Sequence, residues 1–330
     1  MKYKKLGRTE IQVSTVALGC MSLAASPTYP GIAEGEAIAV VHAAFDAGVN
    51  FFDNAPAYGD GEAESRLGKG LRGKRDKAVV ATKILTEALS PEDVRRELEA
   101  SLRRLGMEHV DLYQIHWPKR VVRMEETLRA MEEMVKSGKA RAIGVCNFGS
   151  VDLQEALETG VRMESNQVAY SLLFRGVEFG VREMCLKEGM GVLCYSPLAQ
   201  GMLAGRFGSA EEVPVERART RHFAGTRKMA RHGEAGCEVE TFAAVERVKK
   251  IAERVGMPMG DLALGWLLHQ PVVASVLAGA SSVEQVKRNA RAGEVSLSAE
   301  VVKELEEATR EVKEELGGNL DPWQAAGRVR

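Results

Sequence analysis

Short apolar runs alternate with amphipathic stretches along almost the whole chain, and the two spacings predict different elements. The opening KYKKLGRTEIQVS reads as a small hairpin turning at Gly7-Arg8. Strands are expected at STVALG, VNFFD, AVVATK, VDLYQIH, RAIGVCN, MESNQV, GVLCY and PVVASVLAG. Between them the helical period is plain. Ile38, Val41 and Phe45 share a face, as do Ala63, Leu67 and Leu71. Val94, Leu98, Leu102 and Leu105 form a longer stripe, and Met124, Leu128, Met131 and Val135 another. Ser90-Pro91-Glu92-Asp93 offers an N-cap, a Pro in the first turn and acids there, and Ser282 with Gln285 is a capping-box candidate.

Most strand-to-strand intervals have roughly the length of a βαβ unit. Eight strands alternating with helices predict the α/β class and a (β/α)₈ TIM barrel, with an N-terminal β-hairpin and extra C-terminal helices, as one domain over 1–330. An open doubly wound sheet is the competing arrangement. The interval between GVLCY and PVVASVLAG is longer and holds a charged loop, 205–240. Two helices follow it: one has Val245, Val248, Ala252 and Val255 on a face, and the second begins at Gly260. A loop of that length is a lid, a binding element or disordered. A last helix is expected over 298–315, with Val301, Leu305, Ala308 and Val312 on one side. The stretch GKGLRG, 68–73, has the G-x-G-x-x-G spacing of a dinucleotide loop, but it closes a helix and precedes a strand. That is the reverse of the order such a loop needs, so its glycines read as helix C-cap and turn residues.

Composition narrows the class without naming a reaction. Lys plus Arg is 45 and Asp plus Glu is 46, for a net charge of −1, which argues against nucleic acid or an anionic membrane as the main partner. Five cysteines (Cys20, Cys146, Cys185, Cys194, Cys237) form no C-x-x-C pair and suit a reducing, cytoplasmic setting. The start lacks the apolar core of a signal peptide, and no uninterrupted apolar run is long enough for a membrane span.

In a barrel, reactive side chains stand at the carboxyl ends of strands. The last polar residues of the runs are Asp53, Lys83, His116, Asn147, Gln167 and Tyr195, with Tyr58 on the loop leaving the second barrel strand. Singly, each has a plainer reading: Asp53 a turn residue, Lys83 a solvated strand end, His116 a structural imidazole, Tyr58 a loop cover. An acid, a phenol, an ammonium and an imidazole on one rim outline a reaction centre.

The runs FFDNAPAYG, VVATK, VDLYQIHWP, IGVCNF, YSPLAQGMLAG and LAGASSVEQVKRN match, in order, the motifs of the aldo-keto reductase superfamily. The chain most resembles the bacterial members related to the potassium-channel β-subunits, and the match covers essentially all of it. The resemblance implies NADPH-dependent reduction of small aldehydes or ketones to alcohols, with NADP(H) rather than NAD(H), no metal and a possible homo-oligomer. It also implies a catalytic tetrad of Asp53, Tyr58, Lys83 and His116. Tyr58 would protonate the carbonyl oxygen as hydride arrives. Lowering a phenol from pKa ~10 to about 7 takes ~4 kcal/mol of preference for the phenolate. One ammonium at ~4 Å with an effective dielectric of ~20 supplies about that much, so Lys83 is expected to acidify Tyr58. Asp53 would hold Lys83, and neutral His116 would orient the carbonyl.

The same resemblance implies the cofactor contacts. Tyr195 would stack on the nicotinamide, and Asn147 and Gln167 would hold its carboxamide beside Cys146. Ser196, Pro197, Leu198, Gln200, Gly201 and Leu203 resemble the loop along the pyrophosphate, with Arg217 as its clamp and Arg219 and Arg221 as competitors for that role. Ser281, Gln285 and Asn289 fall where the family grips the adenosine and its 2′-phosphate, at a helix N-terminus suited to anions, and Gly19, Met21, Gly279 and Arg288 are further expected cofactor contacts. Two positions depart from the common pattern. Cys146 replaces a serine, and Ser281 stands where many relatives place an arginine for the 2′-phosphate, with Lys287, Arg288 and Arg291 as possible substitutes. Trp117, Arg120, Arg123, the 205–240 segment and Trp323 are candidates for the substrate wall. Two other readings remain open: a redox-sensing regulatory subunit of the same fold with slow turnover, and a barrel lyase using Lys83 as a Schiff base.

Overall fold

At the amino end β1 (Tyr3–Lys5) pairs antiparallel with β2 (Gln12–Ser14), and the chain then enters an eight-stranded barrel. The barrel strands are β3 (Val16–Gly19), β4 (Phe51–Asp53), β5 (Val79–Ile84), β6 (Val110–Ile115), β7 (Ala140–Cys146), β8 (Ser165–Ala169), β9 (Gly191–Tyr195) and β10 (Val273–Gly279). All neighbours are parallel, and β10 pairs with both β9 and β3, which closes the sheet. This computed structural model describes residues 1–26, 30–85, 87–324 and 327–330. The TIM-barrel reading holds, and the open doubly wound sheet is excluded by the β10–β3 pairing.

Strand alternation sorts the side chains into two cores. Phe51, Val79, Ala81, Leu112, Ala142, Leu193 and Leu277 point inward, where Leu6, Ile11 and Val13 of the hairpin join them and plug the amino end of the barrel. Phe52, Val80, Tyr113, Ile143 and Val145 point outward against the helices. The next inward layer toward the carboxyl end is polar: Asp53, Lys83, Gln114 and Gln167 are all buried there. That layer is where the site lies.

Two sequence expectations need correction in detail. In GKGLRG, Gly68 and Gly70 lie inside the helix Glu62–Gly70 rather than at its cap. A Cβ on Gly68 would collide with the Leu105 carbonyl, and one on Gly70 would come within 2.8 Å of Val41, so both glycines permit close helix packing. Gly73, with φ +73°, is the turn residue. The last helix is two, Ala299–Ala308 and Arg310–Leu316. At the break, Thr309 donates to the Leu305 carbonyl at 2.9 Å and Arg175 to the Glu306 carbonyl at 2.9 Å, which draws acceptors out of the helical ladder.

The 205–240 segment is seated on the barrel rather than free of it. Ala218 and Phe223 are fully buried. His222 bonds the Leu173 carbonyl at 2.8 Å, and Arg221 donates to the Leu316 carbonyl at 3.0 Å. The two helices that follow, Glu238–Arg254 and Met259–His269, pack beside it. Among the described residues no helix is long and apolar enough to cross a membrane.

Candidate active site

Lys83, inward on β5, is 0 % exposed, and its ammonium has an acceptor for each proton. Nζ donates to Asp53 Oδ2 at 2.7 Å, to the Asn54 carbonyl at 2.8 Å and to the Tyr58 hydroxyl at 3.4 Å. Register explains the first of these: Asp53 pairs with Ala81 on β5, two residues before Lys83. Tyr58 reaches the group from the 54–61 loop, where its N–H donates to the Ala55 carbonyl at 3.1 Å. His116, just beyond β6, stands edge-on to Tyr58, with ring centroids 6.0 Å apart at 83°. Four residues from three strands and their loops therefore meet at one mouth.

Electrostatics assigns protonation states. Burial would lower the Lys83 ammonium, but the Asp53 carboxylate and the neighbouring Tyr58 reverse this and hold it well above the usual lysine range. A lysine held so firmly charged is no amine nucleophile, which opposes the Schiff-base reading. Burial likewise dominates at Tyr58: the Lys83 charge pulls the phenol down, yet it is pushed up to about 12. Burial thus opposes the acidification expected from Lys83. A Coulomb term taken from one ammonium omits both the desolvation of a phenolate and the carboxylate 2.7 Å from that ammonium. Burial, then the charges of Lys83 and Arg328, lowers His116 to about 3, so its imidazole is neutral.

Around this centre lie the expected cofactor residues. Asn147 takes a left-handed backbone, φ 61°, which asparagine tolerates better than most. It donates to the His116 carbonyl at 3.0 Å and accepts from the Tyr195 hydroxyl at 2.8 Å. Gln167 does not face the mouth with its nitrogen: Nε2 donates to Asp53 Oδ1 at 2.8 Å. Cys146 is fully buried, and burial holds its thiol protonated, well above the ordinary range. After β9 the chain kinks through Ser196, Ala199, Gln200 and Gly201, all at positive φ. Pro197 and Leu203 are buried beneath that turn, with Leu203 in the helix-facing core, while Leu198 is half-buried.

Arg217 reaches this loop, its Nη1 3.5 Å from the Gln200 carbonyl. Its competitors are engaged elsewhere: Arg219 lies over the Trp323 ring at 4.3 Å, and Arg221 pairs with Glu234 at 2.7 Å. Gly19 and Gly279 are register partners at the β3–β10 seam, and half-buried Met21 follows on the turn Cys20–Leu23. Asn289 donates to the Gly279 carbonyl at 3.2 Å. Ser282 caps the helix Val283–Arg291, whereas Gln285 Oε1 accepts from the Ser281 N–H at 2.9 Å, one residue before the cap. Arg288 stands exposed on that helix.

Two of the arginines expected at the substrate wall are engaged with carboxylates. Arg120 is bound to Asp152, and Arg123 pairs with Glu125 at 3.3 Å on the surface. A tail arginine also lies at the mouth: Arg328 stands 3.6 Å over the Trp117 ring and is held by Asp321 at 2.7 and 2.9 Å. Sequence reasoning missed Arg328 and Asp321, which carry no local motif. It also missed Gln114, although that residue stands two before His116 on the same strand face and was legible from the alternation.

A family model described as the Aldo/keto reductase family matches residues 15–310. A relative from Escherichia coli (strain K12) named NADH-specific methylglyoxal reductase is 31% identical, over 93% of this chain and 99% of its own. One from Oryza sativa subsp. japonica, named probable voltage-gated potassium channel subunit beta, is 31% identical over 93% and 96%. The crystal structure of an aldo/keto reductase from Klebsiella pneumoniae in complex with NADP and acetate superposes with a TM-score of 0.74 at 26% identity, covering 100% of this chain and 99% of that one. A barrel closed in this way, matched by the family along nearly its whole length, makes this chain an oxidoreductase of the aldo/keto reductase family.

Proposed function

We propose that this chain reduces aldehydes and ketones to alcohols with NADPH, and that Tyr58 donates the proton. The observation that carries this reading is the Tyr58 hydroxyl within 3.4 Å of a buried, charged Lys83 and edge-on to a neutral His116. A reduced nicotinamide supplies the hydride. The residues fit such a group: the positive-φ turn Ser196–Gly201 with Arg217 beside it forms a cradle for the pyrophosphate, and Tyr195 offers the ring for stacking. Asn147 and Gln167 would hold the carboxamide, Cys146 lining the same wall. Met21, Gly19 and Gly279 would border the dinucleotide, with Ser281, Gln285, Arg288 and Asn289 on the adenosine side.

As charge grows on the carbonyl oxygen, Tyr58 is present as the protonated acid, because its phenol is pushed up to about 12. His116, neutral with its pKa near 3, donates a hydrogen bond to the same oxygen without carrying charge. Lys83 stabilises the phenolate left behind, and Asp53 holds Lys83 in place. The product alcohol leaves Tyr58 to be reprotonated.

Methylglyoxal, the substrate in one relative's name, belongs in the first panel of carbonyls. The test is an anaerobic titration with NADPH and with NADH, then carbonyl turnover followed by loss of reduced-nicotinamide absorbance. A higher kcat/KM with NADPH than with NADH supports the cofactor choice, and the reverse order overturns it. Absence of turnover across the panel would instead favour the slow redox-sensing subunit.

A further inference from the structure

Gln114 lies on β6 between Lys83 of β5 and Gly144 of β7 in the barrel register. It is 0 % exposed, where a primary amide is costly unless both of its ends are engaged. Its Nε2 donates to Asp53 Oδ1 at 3.3 Å, the same oxygen that Gln167 Nε2 reaches at 2.8 Å. Gln167 Nε2 also approaches Gln114 Oε1 at 3.5 Å. Two amides and one carboxylate thus form a closed triangle beneath the mouth.

This triangle has one consistent polarity. Turning the Gln167 amide over would set its Oε1 against the Asp53 carboxylate and against Gln114 Oε1, acceptor facing acceptor. Gln114 therefore helps commit the Gln167 nitrogen inward and leaves its oxygen on the other side. It also occupies the carboxylate oxygen that Lys83 does not use, which fixes the rotation of Asp53 and with it the place of the ammonium beside Tyr58.

We propose that Gln114 is a positioning residue of the active site, acting through Asp53 and Gln167. It holds the carboxylate that locates Lys83, and it orients the Gln167 amide so that its carbonyl oxygen receives the carboxamide N–H₂ of the nicotinamide. The proposal rests on the cofactor assignment above.

The test uses Gln114→Met, which keeps the length of the side chain and removes donor and acceptor. Quenching of intrinsic fluorescence gives dissociation constants for NADP⁺ and for 2′,5′-ADP, which lacks the nicotinamide half. The expected result is roughly five- to tenfold weaker NADP⁺ binding, the loss of about one hydrogen bond, with 2′,5′-ADP unchanged. With cofactor deuterated at C4, the variant should also show a larger primary isotope effect on kcat, because the chemical step is slowed. A merely structural role would lower the active fraction and move neither ratio. Equal affinities and an equal isotope effect in a folded variant overturn the proposal. Should Gln114→Met not fold, Gln114→Asn, which withdraws the amide without removing it, is read the same way. A wild-type protein that binds no dinucleotide refutes the cofactor reading itself, and the role of Gln114 with it. Normal wild-type binding with an indistinguishable variant refutes the role of Gln114 alone.

Discussion

Lys83 Nζ sits 2.7 Å from Asp53 Oδ2 and 3.4 Å from the Tyr58 hydroxyl, so the ammonium belongs first to the carboxylate. Its field at the phenol is that of an ion pair rather than of a lone cation, and burial of Tyr58 then prevails. The phenol keeps its proton through the neutral range. It is a stored acid, released when charge develops on a substrate oxygen.

Replacing Tyr58 by Phe removes the proton donor and little else. Carbonyl turnover should fall roughly 100-fold or more, the usual worth of a positioned acid, while NADP⁺ binding stays within twofold. Steady-state kinetics beside a fluorescence titration decides it, and substantial retained activity would sink the assignment.

Asp53→Asn leaves a buried ammonium without its counter-charge. Thermal unfolding should show a loss of about 3–5 kcal/mol, the scale for breaking one partner of a buried pair. Adding Lys83→Met to the same chain should restore part of that stability, since the unpaired charge is gone. A double variant no more stable than Asp53→Asn contradicts the account.

The pH dependence follows from the opposite shifts of Tyr58 and His116. Tyr58 acts while protonated, and with its pKa raised to about 12 the proton is lost only as pH rises toward that value. His116 acts while neutral, and with its pKa lowered to about 3 it charges only well below neutrality. Carbonyl reduction should therefore show a level kcat/KM between roughly pH 6 and roughly pH 9. An alkaline fall centred near pH 7 would reinstate an acidified phenol.

His222 should make the 205–240 segment sensitive to acid. It is buried, its Nδ1 lies 3.0 Å from the Thr220 hydroxyl, and its pKa is lowered by burial to about 4. The folded value is below the unfolded one of ~6.5, so stability is full above about pH 6.5 and declines as pH falls toward 4, by up to about 3 kcal/mol. Denaturant titrations at pH 7 and pH 4.5 would measure it. His222→Gln should flatten the difference, and an unchanged slope counts against this.

Arg217 and Arg219 separate by a pair of substitutions. Arg217→Met should weaken NADPH and NADH alike by roughly tenfold, because a pyrophosphate contact is common to both. Arg219→Met should leave both affinities nearly unchanged, since that guanidinium is placed over Trp323. Equal losses from the two would remove Arg217 from the clamp.

Much of this was legible along the chain, for a local reason. Alternation with period 2 and helical stripes with period 3.6 depend on near neighbours, and they placed all eight barrel strands and put Asp53, Lys83 and His116 at strand ends. The split at Thr309 was not legible, because the groups that break the helix include Arg175, far away in sequence. Nor could any local pattern bring Arg328 to Trp117, a contact made by a tail folding over the mouth.

Residue spacing alone placed an acid, an amine and an imidazole at the carboxyl ends of strands and a phenol on the loop after one of them. The tertiary structure decided their charge states. Desolvation and the distances within the Asp53–Lys83–Tyr58 group arise from packing in three dimensions, and these set whether a proton is held or released.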